Sequence, residues 1–190
     1  MSAPTLKPGW SGKIAAQVAG VTRAAGEMPQ AKWFLLTDAD IAHGAGMLKR
    51  LVAKAESEDR HLVSLMVLLK AGGFAAKLLI PAFVFFFQKL YPFAWVNNPH
   101  LSMAAAAGGT MLVRRKTLEH VGGLESIRHE LIDDCALARR IKHAADGSLR
   151  PIWLGLSAES VSLRPYPALA DVWRMVARAA FTELDRKSVV

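Results

Sequence analysis

The sequence is short of several things, and each shortage excludes a class of protein. Its 190 residues hold one cysteine, Cys135. An internal disulfide framework is therefore impossible, and a reducing compartment is compatible. The N-terminal segment is polar, with Pro4 and Pro8, and lacks a signal-peptide pattern. Gly9-Trp10-Ser11-Gly12-Lys13 is turn-forming, but the Gly-x-x-x-x-Gly-Lys-Ser/Thr spacing of a Walker loop is absent. There is no basic tail: residues 1–95 carry 11 Lys and Arg against 6 Asp and Glu, and residues 96–190 carry 13 against 10. No nucleic-acid-binding motif and no internal repeat is present, and the one low-complexity tract is Ala104–Ala107. No apolar run reaches the roughly 20 residues a spanning helix needs.

What is there fits one domain with a real core, at 52% apolar residues. A spread net charge of +8 suits nucleic acid, an anionic membrane surface or a phosphorylated substrate. The chain is organised around Trp33-Phe34-Leu35-Leu36-Thr37-Asp38-Ala39-Asp40. Apolar residues running abruptly into acids predict a buried strand ending at a polar edge. Ligand crevices of open α/β sheets lie at the carboxyl ends of strands. On an extended chain Asp38 and Asp40 alternate, so both face that crevice. Carboxylates of this kind suit Mg²⁺ or Mn²⁺ held jointly with substrate phosphates. The plainer alternative is a strand end with solvated acids.

Taken in order, residues 14–25 predict a helix, with Lys13 at its start able to meet a phosphate or simply to sit on the surface. Residues 41–58 predict a second helix, and His43 near its start is either a third metal ligand or, better, a loop histidine. Residues 61–69 predict a second buried strand. Residues 78–96 hold seven of the chain's 15 aromatics, between Phe83 and Trp95. Pro81 and Pro92 bracket a short helical span there, placing Phe83, Phe86, Phe87, Leu90 and Tyr91 on one face. That pattern predicts an interfacial membrane helix, against the alternative of a core helix. Gly108 and Gly109, which let backbone approach a ligand closely, feed a strand ending at Arg114-Arg115. Residues 117–120 predict a short helix. Asp133 and Asp134 open a helix, where a plain N-cap also wants acids. Residues 152–156 predict a strand, and residues 169–184 an amphipathic helix carrying Arg174 and Arg178.

The order Gly12-Lys13, Asp38-Ala39-Asp40, Gly108-Gly109, Arg114-Arg115, Gly122-Gly123 and Asp133-Asp134 before Leu137-Ala138-Arg139 resembles a family-2 glycosyltransferase of the GT-A fold. The stretches 80–95, 104–109, 131–139, 162–166 and 173–178 resemble more closely the bacterial membrane glycosyltransferase found with hopanoid biosynthesis genes. The resemblance covers roughly residues 8–184. It implies a single α/β domain over 1–190, a partial GT-A (Rossmann-like) fold with an interfacial aromatic segment at 78–96 and an amphipathic helix at 168–185. That fold would lack the first nucleotide-binding strands, making the chain an interior piece of a larger enzyme. The Gln-x-x-Arg-Trp motif of processive relatives is not matched, since Ala179 follows Arg178 and Met175 stands where Gln is expected.

The resemblance implies inverting transfer from a sugar-nucleotide donor to a lipid or other membrane-proximal acceptor, at the cytoplasmic face of the bacterial inner membrane, with no nucleic-acid partner. Asp38 and Asp40 would hold a divalent metal, Mg²⁺ or Mn²⁺. Asp134, 94 positions after Asp40, would be the general base. Lys13, Gly108, Gly109, Asp133, Arg174 and Arg178 would contact substrate. Two other classes remain: a phosphatase of the haloacid-dehalogenase type, whose Asp-x-Asp normally continues with Thr or Val where this chain has Ala42, and a non-catalytic remnant that binds membrane or a partner.

Overall fold

Side chains alternate across a strand, and that alternation splits the apolar residues of this chain into two cores on opposite faces of one sheet. In the computed structural model, residues 6, 8–70, 72–130, 132–166, 169–174 and 176–177 are described. The chain opens with helix α1 (Gly12–Glu27), capped by Ser11, whose hydroxyl accepts a hydrogen bond from the Ile14 amide at 3.2 Å. Strands β1 (Trp33–Thr37) and β2 (Ile41–Ala42), helix α2 (Met47–Ser57) and strand β3 (Leu62–Leu69) follow. Next come helices α3 (Phe74–Leu90) and α4 (Phe93–Asn97), strand β4 (Thr110–Arg114) and helix α5 (Arg115–His120). A short 3-10 turn (Leu124–Ile127), helix α6 (Asp133–Lys142) and strand β5 (Ile152–Ser162) complete the labelled elements.

The five strands lie in the order β1-β4-β3-β5-β2. β3 and β5 run parallel, while β4 is antiparallel to both β1 and β3, and β2 is antiparallel to β5. The carboxyl ends of β1, β3 and β5 therefore share one edge of the sheet with the start of β4. On one face Phe34, Leu36, Leu62, Met111, Val113, Ile152 and Leu154 meet α1, α5 and α6. On the other face Val63, Leu65 and Leu112 meet Met47, Leu51 and Ala55 of α2, with Trp33, Leu35 and Trp153 alongside.

Several sequence expectations change. The helix expected over 41–58 begins only at Met47, because Gly46 takes the left-handed conformation at φ 75° just before it, and Ile41-Ala42 pair with Ser162 and Val161 instead. β5 runs on to Ser162, well past Leu156. Pro81 does not bracket the aromatic helix but lies inside α3, which begins at Phe74, where proline forgoes one backbone hydrogen bond. The aromatic face also divides. Phe87 and Leu90 pack on the main core with buried Tyr91, whereas Phe86 is 64% and Phe85 55% exposed. Residues 169–174 and 176–177 are helical; the remainder of the expected C-terminal helix, Arg178 included, lies outside the described residues. Among the described residues no helix is long and apolar enough to cross a membrane.

Candidate active site

The edge where β1, β3 and β5 end carries the acids. β1 stops at Thr37, and a tight turn follows, closed by the Ile41 amide donating to the Asp38 carbonyl at 3.3 Å. Asp38 and Asp40 thus stand on a turn, not along an extended strand as expected, and they address different partners. Asp38 Oδ1 is 3.3 Å from Lys13 Nζ. Asp40 Oδ2 accepts from Ser162 Oγ at 3.3 Å and faces Arg164 Nε at 4.0 Å, while its carbonyl accepts from the Leu163 amide at 2.7 Å. Antiparallel pairing of β2 with β5 is what brings Ser162 and Arg164 there.

Beneath the turn, His43 lies between two hydroxyls, with Nε2 3.0 Å from Thr37 Oγ1 and Nδ1 3.1 Å from Ser160 Oγ. Both ring nitrogens are engaged, so His43 braces the turn as a loop histidine. Among the described residues no group of three or more His, Cys, Asp and Glu side chains is gathered for a metal ion. The two carboxylates nonetheless fit the mode in which one or two acids hold a hard cation and bound phosphate completes its shell. Their side chains are 40% and 41% exposed.

The second acid pair arrives on α6. Asp133 Oδ2 stands 3.0 Å from Lys13 Nζ, an ion pair that is this oxygen's partner. Asp134 Oδ2 accepts from the Gly108 amide at 2.7 Å, and Oδ1 accepts from the Cys135 amide at 2.8 Å. A side chain at Gly108 would be crowded: its Cβ would lie 3.0 Å from Asp134 Oδ2 and 3.2 Å from Lys13 Nζ. Gly109 is similarly confined, its Cβ position 3.2 Å from both methyls of Val67. The glycine pair therefore lets the start of β4 press against both acid clusters.

Electrostatics separate these groups. Burial works against the charge of Lys13, but Asp133 and Asp38 outweigh it and hold its pKa above the ordinary lysine value. Burial, reinforced by the adjacent charge of Asp133, pushes Asp134 up to about 6. Asp134 thus gains a proton in a range where ordinary aspartates have lost theirs, yet it is ionised at neutral pH. A buried carboxylate shifted this far by burial and a neighbouring charge marks a candidate functional site.

The structure brings Lys13, Asp38, Gly108, Asp133 and Asp134 into one cluster, with Asp40 and Gly109 next to it in the chain. Arg174 is elsewhere: its guanidinium pairs with Asp171 of the same helix at 2.6 Å. Sequence reading missed Ser162, Arg164 and His43 as supports of the acid turn. Only the segment 162–166, noted as part of a resemblance, pointed toward the first two.

A family model for glycosyl transferase family 21 matches residues 5–150, a span that carries Lys13, both acid clusters and the glycine pair. The chain belongs to glycosyl transferase family 21. No curated protein matches it. The glycosyltransferase reading of the sequence stands on this membership, with a sugar-nucleotide donor and an acceptor as the reactants, and the phosphatase alternative gives way. The family matched is 21 and not family 2, the one the order of motifs resembles.

Proposed function

We propose that this cluster performs inverting glycosyl transfer from a sugar nucleotide to a lipid or other membrane-proximal acceptor. The observation that carries the reading is the convergence, through Lys13, of two acid clusters that stand far apart in sequence. One cluster serves the leaving group. Asp38 and Asp40 would hold a divalent ion, Mg²⁺ or Mn²⁺, which when bound supplies positive charge against the departing diphosphate. Lys13 and Arg164 add fixed positive charge on either side of the same turn. The other cluster serves the nucleophile. Asp134 Oδ2 takes the proton of the acceptor hydroxyl as its oxygen attacks the anomeric carbon and the bond to the diphosphate breaks, inverting that centre. Gly108 holds the carboxylate by its amide, and Asp133, tied to Lys13, shapes the acceptor side.

The finer assignment is a GT-A arrangement of the family-2 type, like the membrane glycosyltransferase found with hopanoid biosynthesis genes. It is supported by the order of the motifs and by the aromatic helix. α3 begins shortly after β3 ends, so its exposed Phe74 starts near the edge that carries the acids, with exposed Leu78, Phe85 and Phe86 further along the helix. From His61 to Leu118 the sequence holds no Asp or Glu, while Lys70, Lys77 and Lys89 flank the aromatics. Aromatic and basic groups together suit an anionic interface, here the cytoplasmic face of the inner membrane. A second reading, a non-catalytic chain that binds membrane or a partner, draws on the outer edge of β1, which has β4 as its one neighbour among the described strands.

The test is a pair of variants. Asp134→Asn keeps the size but cannot accept the proton, so turnover should fall by roughly 10²–10⁴-fold with donor binding retained. Asp40→Ala should instead weaken metal-dependent donor binding. If Asp134 were only a helix cap, Asn would replace it with little loss. Near-normal turnover in Asp134→Asn moves the base assignment to Asp133. Absence of any sugar-nucleotide binding by the wild-type chain favours the non-catalytic reading.

A further inference from the structure

Lys13 stands between the two acid clusters, a position that lending charge to the diphosphate does not by itself require. It rises from the first turn of α1, and its ammonium lies 3.0 Å from Asp133 and 3.3 Å from Asp38. The space beside it is the one Gly108 leaves open, since a Cβ there would come within 3.2 Å of the nitrogen. Arg164 reaches the acids only at 4.0 Å, and only Asp40. Among the described residues Lys13 is thus the cation that joins the two acid clusters, and its side chain is 39% exposed.

We infer that Lys13 is a displaceable counter-ion of the donor site, neutralising Asp38 and Asp133 in the free protein, keeping a bare divalent ion off Asp38, and transferring to the diphosphate when ion and diphosphate arrive together. The inference rests on the reading of Asp38 and Asp40 as the metal–diphosphate site. The physical reason is competition for one carboxylate. A divalent ion on Asp38 would stand a few ångströms from the ammonium, and a like charge at about 4–6 Å disfavours a charged state by a factor of roughly 10–1000. A diphosphate removes that conflict, because it brings negative charge for both the ion and the lysine. Metal and diphosphate binding should then be coupled, each tightening the other.

The experiment titrates the full chain with Mn²⁺, followed by electron paramagnetic resonance of the free ion, with and without inorganic pyrophosphate. Wild type, Lys13→Met, Lys13→Gln and Lys13→Arg are compared, with melting curves to show that each is folded. Mn²⁺ alone should bind Lys13→Met and Lys13→Gln roughly tenfold or more tightly than wild type, with Lys13→Arg as weak as wild type. Pyrophosphate should tighten Mn²⁺ strongly in wild type and much less in the neutral variants. Equal Mn²⁺ affinity in wild type and Lys13→Met, abolished in both by Asp38→Asn, would overturn the role of Lys13 while leaving the metal site intact. No Mn²⁺ binding to any variant, with or without pyrophosphate, would overturn both.

Discussion

Asp134 is the residue whose environment says most about its work. Two backbone amides hold its carboxylate, from Gly108 and Cys135, while burial and Asp133 oppose its charge and carry its pKa to about 6. A base must be deprotonated to act, so the acidic limb of the rate profile is expected at about pH 6, well above the ordinary 3.8. The same shift has a thermodynamic sign. Between 3.8 and about 6 the native state keeps a proton that the unfolded chain has released. The stabilisation from this group is therefore present at low pH and lost as pH rises through that window. Asn cannot lose it. Urea unfolding at pH 4 and pH 7 should thus show Asp134→Asn gaining on wild type by on the order of 1–3 kcal/mol at the higher pH. A gap independent of pH would mean that Asp134 is not shifted. At this scale the sequence was legible where the chemistry needs particular residue types in a row: Asp38, Asp40, Asp133, Asp134 and the glycine pair. Arg164 was not legible, and His43 was legible as a loop histidine beside the acids but not in its contacts. Their contacts with the acid turn depend on β2 crossing to β5, which periodicity in a two-residue strand cannot announce.

The elements show why some expectations shifted. A run such as 62–69 reads clearly as a strand because it is apolar throughout and short. The aromatic run misled because Pro81 looks like a boundary, whereas Ala76 and Ile80 pack against Tyr166 and Val172 before it and Phe87 and Leu90 pack on the main core after it, so helix is held on both sides. Tertiary burial also divided the aromatics. Phe87 contacts Tyr91 and Phe93 with ring centroids 5.3 and 6.5 Å away, whereas Phe85 and Phe86 are exposed and can be replaced without damaging the core. Changing both to Ser should weaken flotation with anionic liposomes and leave the melting temperature nearly unchanged; undiminished flotation would count against an interfacial α3. Lys142 makes a contrasting element-level contact. It is fully buried at the end of α6 and donates to the carbonyls of Val96, Asn98 and Met103 at 2.7, 3.1 and 2.8 Å. Burial lowers its pKa to about 8, so the ammonium is charged at neutral pH with each donor matched to an acceptor. Lys142→Met strands one buried and two part-buried carbonyls, and denaturant unfolding should show a loss on the order of 2–4 kcal/mol.

At the scale of the whole molecule, the feature that decides behaviour in solution is the outer edge of β1. The Arg115 amide donates to the Lys32 carbonyl at 2.9 Å and the Asp38 amide to the Gly109 carbonyl at 3.3 Å. Alternation then directs the amides and carbonyls of Trp33, Leu35 and Thr37 away from β4. Those groups lie on an edge with no proline or bulge to blunt it, flanked by apolar side chains, which is the usual template for unwanted strand pairing. The wild-type chain should therefore associate as its concentration rises through the micromolar range in sedimentation experiments. Leu35→Pro removes one outward-facing donor and no bond to β4, so it should shift the chain toward monomer while keeping its helical and strand content by circular dichroism. The controls are informative because they separate edge pairing from general instability. If Leu35→Pro associates as strongly as wild type, the contact lies elsewhere, with exposed α3 the next surface to change. If wild type itself is a cooperatively melting monomer that binds a sugar nucleotide at micromolar levels, the edge is adequately protected by its surroundings and the expectation of association is wrong.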